Sequence, residues 1–381
     1  MQTEAFAYCD GNKMNGISDN YADSIWLNVA WYMGKENPFF SSIDTKYYDG
    51  EEKEEIIGLY LAVTEENQSA NTDYTRYWHG TAGIIRIFHL FTDINGVRNI
   101  GFIMTLCLAA VIMIFLIRDG KDITAVFFFL SLCIIKIWNI RLSMEYQPAF
   151  IICFGMCILY LLFEKRGDRN LVPLSIVSGT LIAFFDFLTT ETIVILLPLI
   201  LVVTVREIDK RIESFGKSIH FIIVQGIVWL GAYGITILSK WCLASIITGI
   251  NKFTTALHSA GERIYGNIPG TGGLSLAVQK FVAPAANLAV LFGSSKRLDV
   301  YAIIVGVLFL VVFIIIAFLC LKFGKEESRT ATWLLIILGS AILVRYLVLN
   351  NHSYLHAFFT YRGMISMIMA LFSIVIINVK V

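Results

Sequence analysis

The sequence predicts an all-α protein: a polytopic membrane helical bundle of about nine transmembrane helices, with an N-terminal extracytoplasmic segment of amphipathic juxtamembrane helices. Three observations predict it. Of the 381 residues, 57% are hydrophobic and 15% charged, whereas a water-soluble domain carries about 25% charged residues, and the mean hydropathy is +0.70. Beyond residue 98, apolar runs recur close to the ~20 residues that a helix needs to cross a bilayer. The net charge of +1 also conceals an asymmetry: residues 1–98 hold 15 Asp/Glu against 7 Lys/Arg, and the remainder 14 against 23. A water-soluble enzyme is excluded, and an acidic polar head (1–98) precedes a basic membrane body (99–381).

The apolar runs lie at 100–117, 123–138, 148–163, 171–188, 192–205, 219–238, 300–321, 331–349 and 364–379. Lipid offers no partner for backbone N–H and C=O groups, so these runs must be helices, and they lack the alternation of an outer-membrane barrel strand. Arg118 and Lys121, then Lys165, Arg166 and Arg169, then Arg206, Lys210, Arg211 and Lys217, then Lys322, Lys325 and Arg329, with Lys380, fall in alternate connectors and account for 13 of the 23 basic residues. The opposite short connectors hold Arg141 and Arg362. The positive-inside bias therefore places the C-terminus in the cytoplasm and residues 1–98 outside the cytoplasmic (plasma) membrane, together with a long outer loop at 239–299. Export of an acidic head whose first residues have neither a basic nor an apolar leader region predicts one more transmembrane helix upstream of Met1. Of the seven cysteines, Cys107, Cys133, Cys153, Cys157, Cys242 and Cys320 lie in or beside apolar segments without paired ligand spacing, so neither a disulfide framework nor a zinc site is expected. Cys153 and Cys157 share a helix face, as packing residues do.

Within the head, SIWLNVAWYM (24–33), EEIIGLYLAV (54–63) and YTRYWHGTAGIIRIFHLF (74–91) show helical spacing of aromatic and apolar residues. They read as helices lying on the membrane surface; the alternative is a small cap packing a core of its own. The charged, turn-rich stretch between the first two reads as a solvated loop.

Ionisable groups in a membrane segment cost ~2.5–3.5 kcal/mol each at a helix centre, and here they gather on the outer side. KIWNIRLSMEYQPAF supplies Lys136, Arg141 and Glu145; FFDFLTTET supplies Asp186 and Glu191; span eight and its exit, NHSYLHAFFTYRG, supply Arg345, His352, His356 and Arg362. Carboxylates beside guanidinium groups suit either a structural ion-pair network or a site where acid meets phosphate, and arginine fits phosphate bidentately. His352 and His356 stand four apart, a spacing that also suits a metal; without a paired carboxylate close in sequence, hydrogen bonding to phosphate or sugar is preferred.

An acidic outer segment with surface helices, followed by spans whose outward ends carry acids and arginines, resembles the type C (GT-C) glycosyltransferases. In that family the outer loop opens on a catalytic or metal-binding acid; GISDNYADS offers Asp19 and Asp23. RYWHG, from Arg76 through His79 to Gly80, is similar to segments of bacterial members. The resemblance implies a polyprenyl-phosphate-linked sugar donor held among membrane lipids and a cell-envelope glycan, lipid or protein acceptor. It further implies a divalent cation (Mg or Mn) as a possible cofactor, and no nucleic-acid partner. Asp19 or Asp23 would be the general base. Arg76, His79, Arg141, Glu145, Asp186, Glu191, Arg345, His352, His356 and Arg362 would line the donor-phosphate and substrate site, with Arg141, Arg345 and Arg362 stabilising the departing phosphate. The chain departs from the family in lacking its first transmembrane helix, in keeping with the upstream span expected above. HSAGERIYGNIPGTGG, from His258, also resembles the His- and Gly-rich loop of O-antigen ligases, although its Gly270, Thr271, Gly272 run is displaced. A transporter or flippase of a lipid-linked glycan is the competing class, which would carry internal repeats and charges through the membrane depth; neither is seen.

Overall fold

The computed structural model describes residues 19–50, 55–65, 68–266, 276–294 and 298–379. Helix α1 (Asn20–Lys35) begins where the Asp19 carboxylate accepts from the Ala22 N–H at 3.0 Å, the usual way of satisfying a first-turn amide. It is followed by α2 (Pro38–Ile43), with Asn37 as cap and Pro38 at the first helical position. Strand β1 (Lys46–Tyr47), α3 (Glu55–Thr64), strand β2 (Thr72–Asp73) and α4 (Gly80–Phe88) complete a cap. β1 and β2 pair antiparallel, with Lys46 opposite Asp73. The buried Asn28 side chain ties α1 to the chain around it, donating to the Tyr48 and Glu55 carbonyls at 2.6 and 3.1 Å and accepting from the Tyr48 N–H at 2.8 Å.

Two expectations for this segment change. The stretch 34–55 is expected from sequence to be a solvated loop, yet its described part includes α2 and β1. Instead of lying on a membrane, α1 is buried along most of its length, and Trp26, Val29, Tyr74, Tyr77 and Ile85 close a core within the cap. The reason is an aromatic plug from elsewhere: Phe187 stacks on Trp26 at 3.8 Å and 4° and meets Tyr77 at 5.0 Å and His79 at 4.9 Å. α4 keeps the amphipathic pattern of the sequence, with Ala82 and Ile85 inward and Ile84, Ile87, Leu90 and Phe91 exposed at its outer face and end.

The bundle comprises α5 (Ile94–Arg118), α6 (Asp122–Ile134), α7 (Pro148–Phe163), α8 (Val172–Phe185), α9 (Ile193–Ile208), α10 (Phe215–Thr248), α11 (Lys252–Tyr265), α12 (Leu276–Leu291), α13 (Val300–Phe323), α14 (Arg329–Val348), α15 (Asn350–Leu355), α16 (Ala357–Thr360) and α17 (Ile365–Asn378). Six of the nine apolar runs lie in helical segments long and apolar enough to cross a membrane: 94–118, 144–166, 215–248, 300–323, 326–348 and 357–378. The other three form α6, α8 and α9, of 13, 14 and 16 residues, about 20–24 Å at 1.5 Å per residue. α9 is buried from Ile193 to Val205, so its unbroken apolar run reflects a central position against α7, α14 and α17. Elsewhere the bundle exposes Ile227, Ile235, Ile314 and Phe318, a surface that only lipid solvates without penalty. The segment 239–299, expected to be a long loop, carries the end of α10, then α11 and α12.

The basic connectors grouped by the charge pattern do meet at one end. Lys121 pairs with Asp119 and Asp209 at 2.8 Å, Lys165 with Asp119 at 2.8 Å, Arg211 with Glu164 at 2.7 Å, and Lys210 with Glu327. They are therefore matched with acids and not merely solvated. The cap covers the other end, where α10 runs up beside it: Trp78 donates to the Thr236 carbonyl at 2.6 Å, Trp241 to the Arg76 carbonyl at 3.2 Å, and Lys240 to Thr45 Oγ1 at 3.0 Å.

Helices α8 and α10 pack most closely at Gly179, where an added methyl would stand 2.4 Å from the Trp229 carbonyl oxygen. Backbone cannot yield as a side-chain tip does, so Gly179→Ala should cost about 1–3 kcal/mol as an overpacked contact, read as a lowered midpoint of thermal unfolding in detergent. Gly226→Ala, with nothing within 4 Å, should leave the midpoint unchanged or raise it.

Candidate functional site

The cap meets the bundle around one buried ion pair. Asp23, wholly buried, accepts from Arg98 Nε at 2.6 Å and Nη2 at 2.5 Å through one carboxylate oxygen. Its other oxygen accepts from Ser143 Oγ and the Met144 N–H, both at 2.8 Å. Three chain segments are thereby locked together: α1, the start of α5, and the turn that leads into α7. Arg98 reaches further to Asn20 Oδ1 at 3.2 Å, and Gln147 Nε2 donates to the Arg98 carbonyl at 2.7 Å.

Two acids are positioned by this lock. Asp19 lies one turn before Asp23 on α1, and Glu145 follows Met144. The two carboxyl groups are neighbours within interaction distance of each other. Burial pushes the Asp19 carboxyl up from 3.8 to about 6; the neighbouring Asp23 adds to the rise, while the Ala22 N–H, Glu145 and Arg98 oppose it. Asp23 and Asp186 also stand close to Glu145. Asp186, at the end of α8, accepts from the Thr189 N–H at 2.8 Å and Thr189 Oγ1 at 2.5 Å. The result is a patch of carboxyl groups drawn from three distant segments.

On the other side of Tyr146 lies a cation. The Arg362 guanidinium sits 4.4 Å from the Tyr146 ring centre and 5.0 Å from that of Tyr361, and the residue is only 2% exposed. Its Nε and Nη1 atoms have no hydrogen-bond partner, nor does the buried Tyr146 hydroxyl. Tyr146 lies within electrostatic reach of Asp19 and Glu145 on one hand and Arg362 on the other. Lys136 is close to Arg362 and has the turn after α12 beside it, a methyl on Gly293 falling 3.9 Å from its Nζ. A buried guanidinium with idle donors and a second cation nearby is an arrangement suited to an anion.

The remaining expected residues divide. Arg345 is spent: it grips Glu191 through two bonds of 3.0 Å and donates to the Leu188 carbonyl, the Thr189 carbonyl and Ser353 Oγ at 3.0, 3.1 and 3.0 Å. Together with Glu191 it clamps the connector that carries Asp186 and Phe187. His352 bonds the Leu188 carbonyl through Nε2 at 2.8 Å and lies 4.6 Å, ring to ring, from His356. Burial first, then His356 and the two arginines, hold its pKa well below the ordinary value, so the ring is neutral. His356 stacks on Phe359 at 5.1 Å. His79 bonds the Tyr74 carbonyl at 2.7 Å and is likewise kept neutral, chiefly by burial and then by Lys240. Arg141 is exposed on a 3-10 turn (Ile137–Leu142) and does not join the buried cluster. Arg76, half-buried, lies over Tyr74 at 4.4 Å. Gly270, Thr271 and Gly272 lie outside the described residues. Among the described residues, no three His, Cys, Asp or Glu side chains come together as a metal cage.

An apolar groove of about 210 Å³ opens between α4, α5, α7 and α8, lined by Ile84, Phe88, Ile100, Met104, Met144 and Leu181 among others. Met144, one of its lining residues, is followed in the chain by Glu145 and Tyr146. Sequence reasoning missed Tyr146, which reads as one more aromatic in an apolar run, and Arg98, which stands at the start of the first span without any sign of its partner. Comparison with protein-family models, with curated proteins and with solved structures yields no match for this chain.

Two predictions follow from the geometry. Asp23→Asn leaves Arg98 buried against a neutral amide, and breaking such a pair costs about 3–5 kcal/mol; thermal unfolding and limited proteolysis of the cap should reveal it, and an unchanged midpoint would contradict the lock. For Asp19 the folded-state pKa of about 6 lies above the ordinary 3.8, so folding favours the protonated acid. Its stabilising contribution is complete below about pH 4 and is lost as pH rises through about 6. Asp19→Asn should flatten the stability profile across that window.

Proposed function

We propose that this protein is a membrane glycosyltransferase of the GT-C type, moving a sugar from a polyprenyl-phosphate-linked donor to a cell-envelope glycan, lipid or protein acceptor. In this reading all nine apolar runs span the plasma membrane, the cap faces outward, and the acid-matched basic connectors face the cytoplasm. One observation carries the reading: an acid pair, Asp19 with Glu145, stands across Tyr146 from a buried guanidinium with idle donors, beside a groove shaped for an apolar chain.

The chemistry follows from that arrangement. The donor chain lies in the groove past Met104 and Leu181, and its phosphate rests on Arg362 and Lys136. Ionised Asp19, beside Glu145, takes the proton from an acceptor hydroxyl whose oxygen attacks the anomeric carbon. The anomeric C–O bond breaks, and its electron pair leaves on the phosphate, where the two cations stabilise the gathering negative charge. Asp23 and Arg98 act as positioning residues, as do Glu191 and Arg345. Asp186 supplies a further acceptor for sugar hydroxyls next to Glu145. Neutral His352 and His79 support the connector and the cap and do not bind phosphate as cations. A flippase is disfavoured because the idle cations and the acids occupy one end of the bundle, leaving no charged path through its depth.

Purified protein reconstituted in liposomes should transfer label from a panel of radiolabelled polyprenyl-phosphate hexoses. Asp19→Asn and Glu145→Gln should each lower kcat by about 10²–10⁴-fold in protein that remains folded, and the rate should rise with pH through about 6 as Asp19 ionises. Full turnover in the double variant, or labelled donor crossing the bilayer unchanged, would reject the transferase.

A further inference from the structure

The cap end holds another pair of cations that the proposed transfer leaves unused. Arg76, just after β2, and Arg263, on α11, approach the same ring: each guanidinium carbon lies 5.7 Å from the centre of Tyr77. The Nε atom of each is buried and has no hydrogen-bond partner. Arg263 spends one bond on its own helix, from Nη1 to the Ser259 carbonyl at 2.9 Å. Four carboxylates of the cap end are taken by other cations, Asp23 by Arg98, Glu191 by Arg345, and Asp44 and Asp73 by Lys252. Residues 267–275, which follow α11, contain no Asp or Glu.

Two like charges, each half-buried, are thus held around one aromatic ring, where cation–π attraction is worth about 0.5–2 kcal/mol per contact. A shared anion removes both the repulsion and the idle donors, and two planar forks match a phosphate or a carboxylate. The place of this pair decides whose anion it is. Tyr74 lies within electrostatic reach of Arg76, Arg263 and Glu145 alike, so the pair flanks the acid patch on the cap side. Arg362 and Lys136 flank it across Tyr146, toward the bundle. A donor phosphate on the bundle side and an anion on the cap side leave the acid pair between them, where the acceptor hydroxyl must sit.

We propose that Arg76 and Arg263 bind a phosphate or carboxylate group of the acceptor, so that the protein glycosylates acidic acceptors. This inference rests on the reading in which Asp19 is the base and Arg362 holds the donor phosphate.

Calorimetry on the full chain in nanodiscs tests it, with glycerol 3-phosphate and glucuronate as anionic probes, glycerol and glucose as neutral controls, and undecaprenyl phosphate and diphosphate as donor-side probes. At least one anionic probe should bind at least about tenfold more tightly than its neutral counterpart. R76Q and R263Q should each weaken that binding by about tenfold, as expected on losing a charged hydrogen bond, and leave undecaprenyl phosphate unaffected. R362Q should show the reverse pattern. R76K and R263K retain the charge and should recover part of the binding, and they serve in place of a Gln variant that does not fold. The inference fails if neither soluble anion is preferred over its neutral control, or if R76Q and R263Q leave the preference intact. It fails equally if they weaken diphosphate and not monophosphate binding, which would give the pair to the donor. Insensitivity of undecaprenyl phosphate to R362Q would instead defeat the donor reading, with the acceptor arms still decided on their own.

Discussion

The pairing of Asp23 with Arg98 sets the geometry of everything at the cap end. Removing two ions from water costs several kcal/mol each, and their attraction offsets this only when every remaining lone pair and proton is satisfied. Asp23 meets that condition with four donors from two other segments. Such a pair adds little net stability compared with apolar residues of the same size, but it permits only one register. If α1 turned or slid, the carboxylate would lose Ser143 and Met144 together. Because one of its donors is the Met144 N–H, the next residue, Glu145, is fixed; because Asp19 lies a helical turn away, it is fixed as well. The acid pair is a consequence of the ion pair beneath it.

The connector between α8 and α9 provides the second constraint, and its backbone shows what that requires. Leu188 adopts φ +69°, and His79 and Lys136 adopt 58° and 56°, conformations that cost a branched or bulky L-residue about 1–2 kcal/mol. Glycine would adopt them freely but could not supply what these positions supply. Leu188 turns its carbonyl toward both Arg345 and His352, while the preceding Phe187 enters the cap core. His79 packs against Phe187 as it starts α4. Lys136 ends α6 and brings an ammonium group near Arg362. Three of the four non-glycine residues with positive φ among those described thus border the same site.

The bundle was legible in the sequence because lipid leaves a long apolar run no choice but helix, and because the alternating basic connectors converge as the charge pattern requires. The cap was less legible. Helical spacing of Trp26, Val29 and Met33 describes a helix floating on a membrane as well as one packed in a core, and what decides between them is Phe187, far along the chain. In the site, charges in costly places drew attention to Glu145, Asp186 and Arg362, and the family resemblance to Asp19. The sequence does not say which charges are already matched. Asp23 looked as free as Asp19, and Arg345 as available as Arg362, until their partners came into view. Tyr146 carried no signal at all, since its part depends on standing between groups that lie far apart in sequence.

The two ends of the bundle treat arginine and lysine differently, and the contrast bears on function. At the connector end Lys121, Lys165, Lys210, Arg206 and Arg211 each contact an acid, and Lys121 and Glu164 among these groups are themselves buried. At the cap end the buried Arg98 and Arg345 are matched by Asp23 and Glu191, whereas the buried Arg362 and the half-buried Arg76 and Arg263 have no carboxylate partner among the described residues. For Arg362 the unmatched charge is costly, because burial removes the water that would otherwise solvate it. Acids are not scarce there, since Asp19, Glu145 and Asp186 lie within the same site. Cations and acids held apart across Tyr146 and Tyr74 leave room between them for a group that carries negative charge, and it is on this separation that the proposed transfer rests.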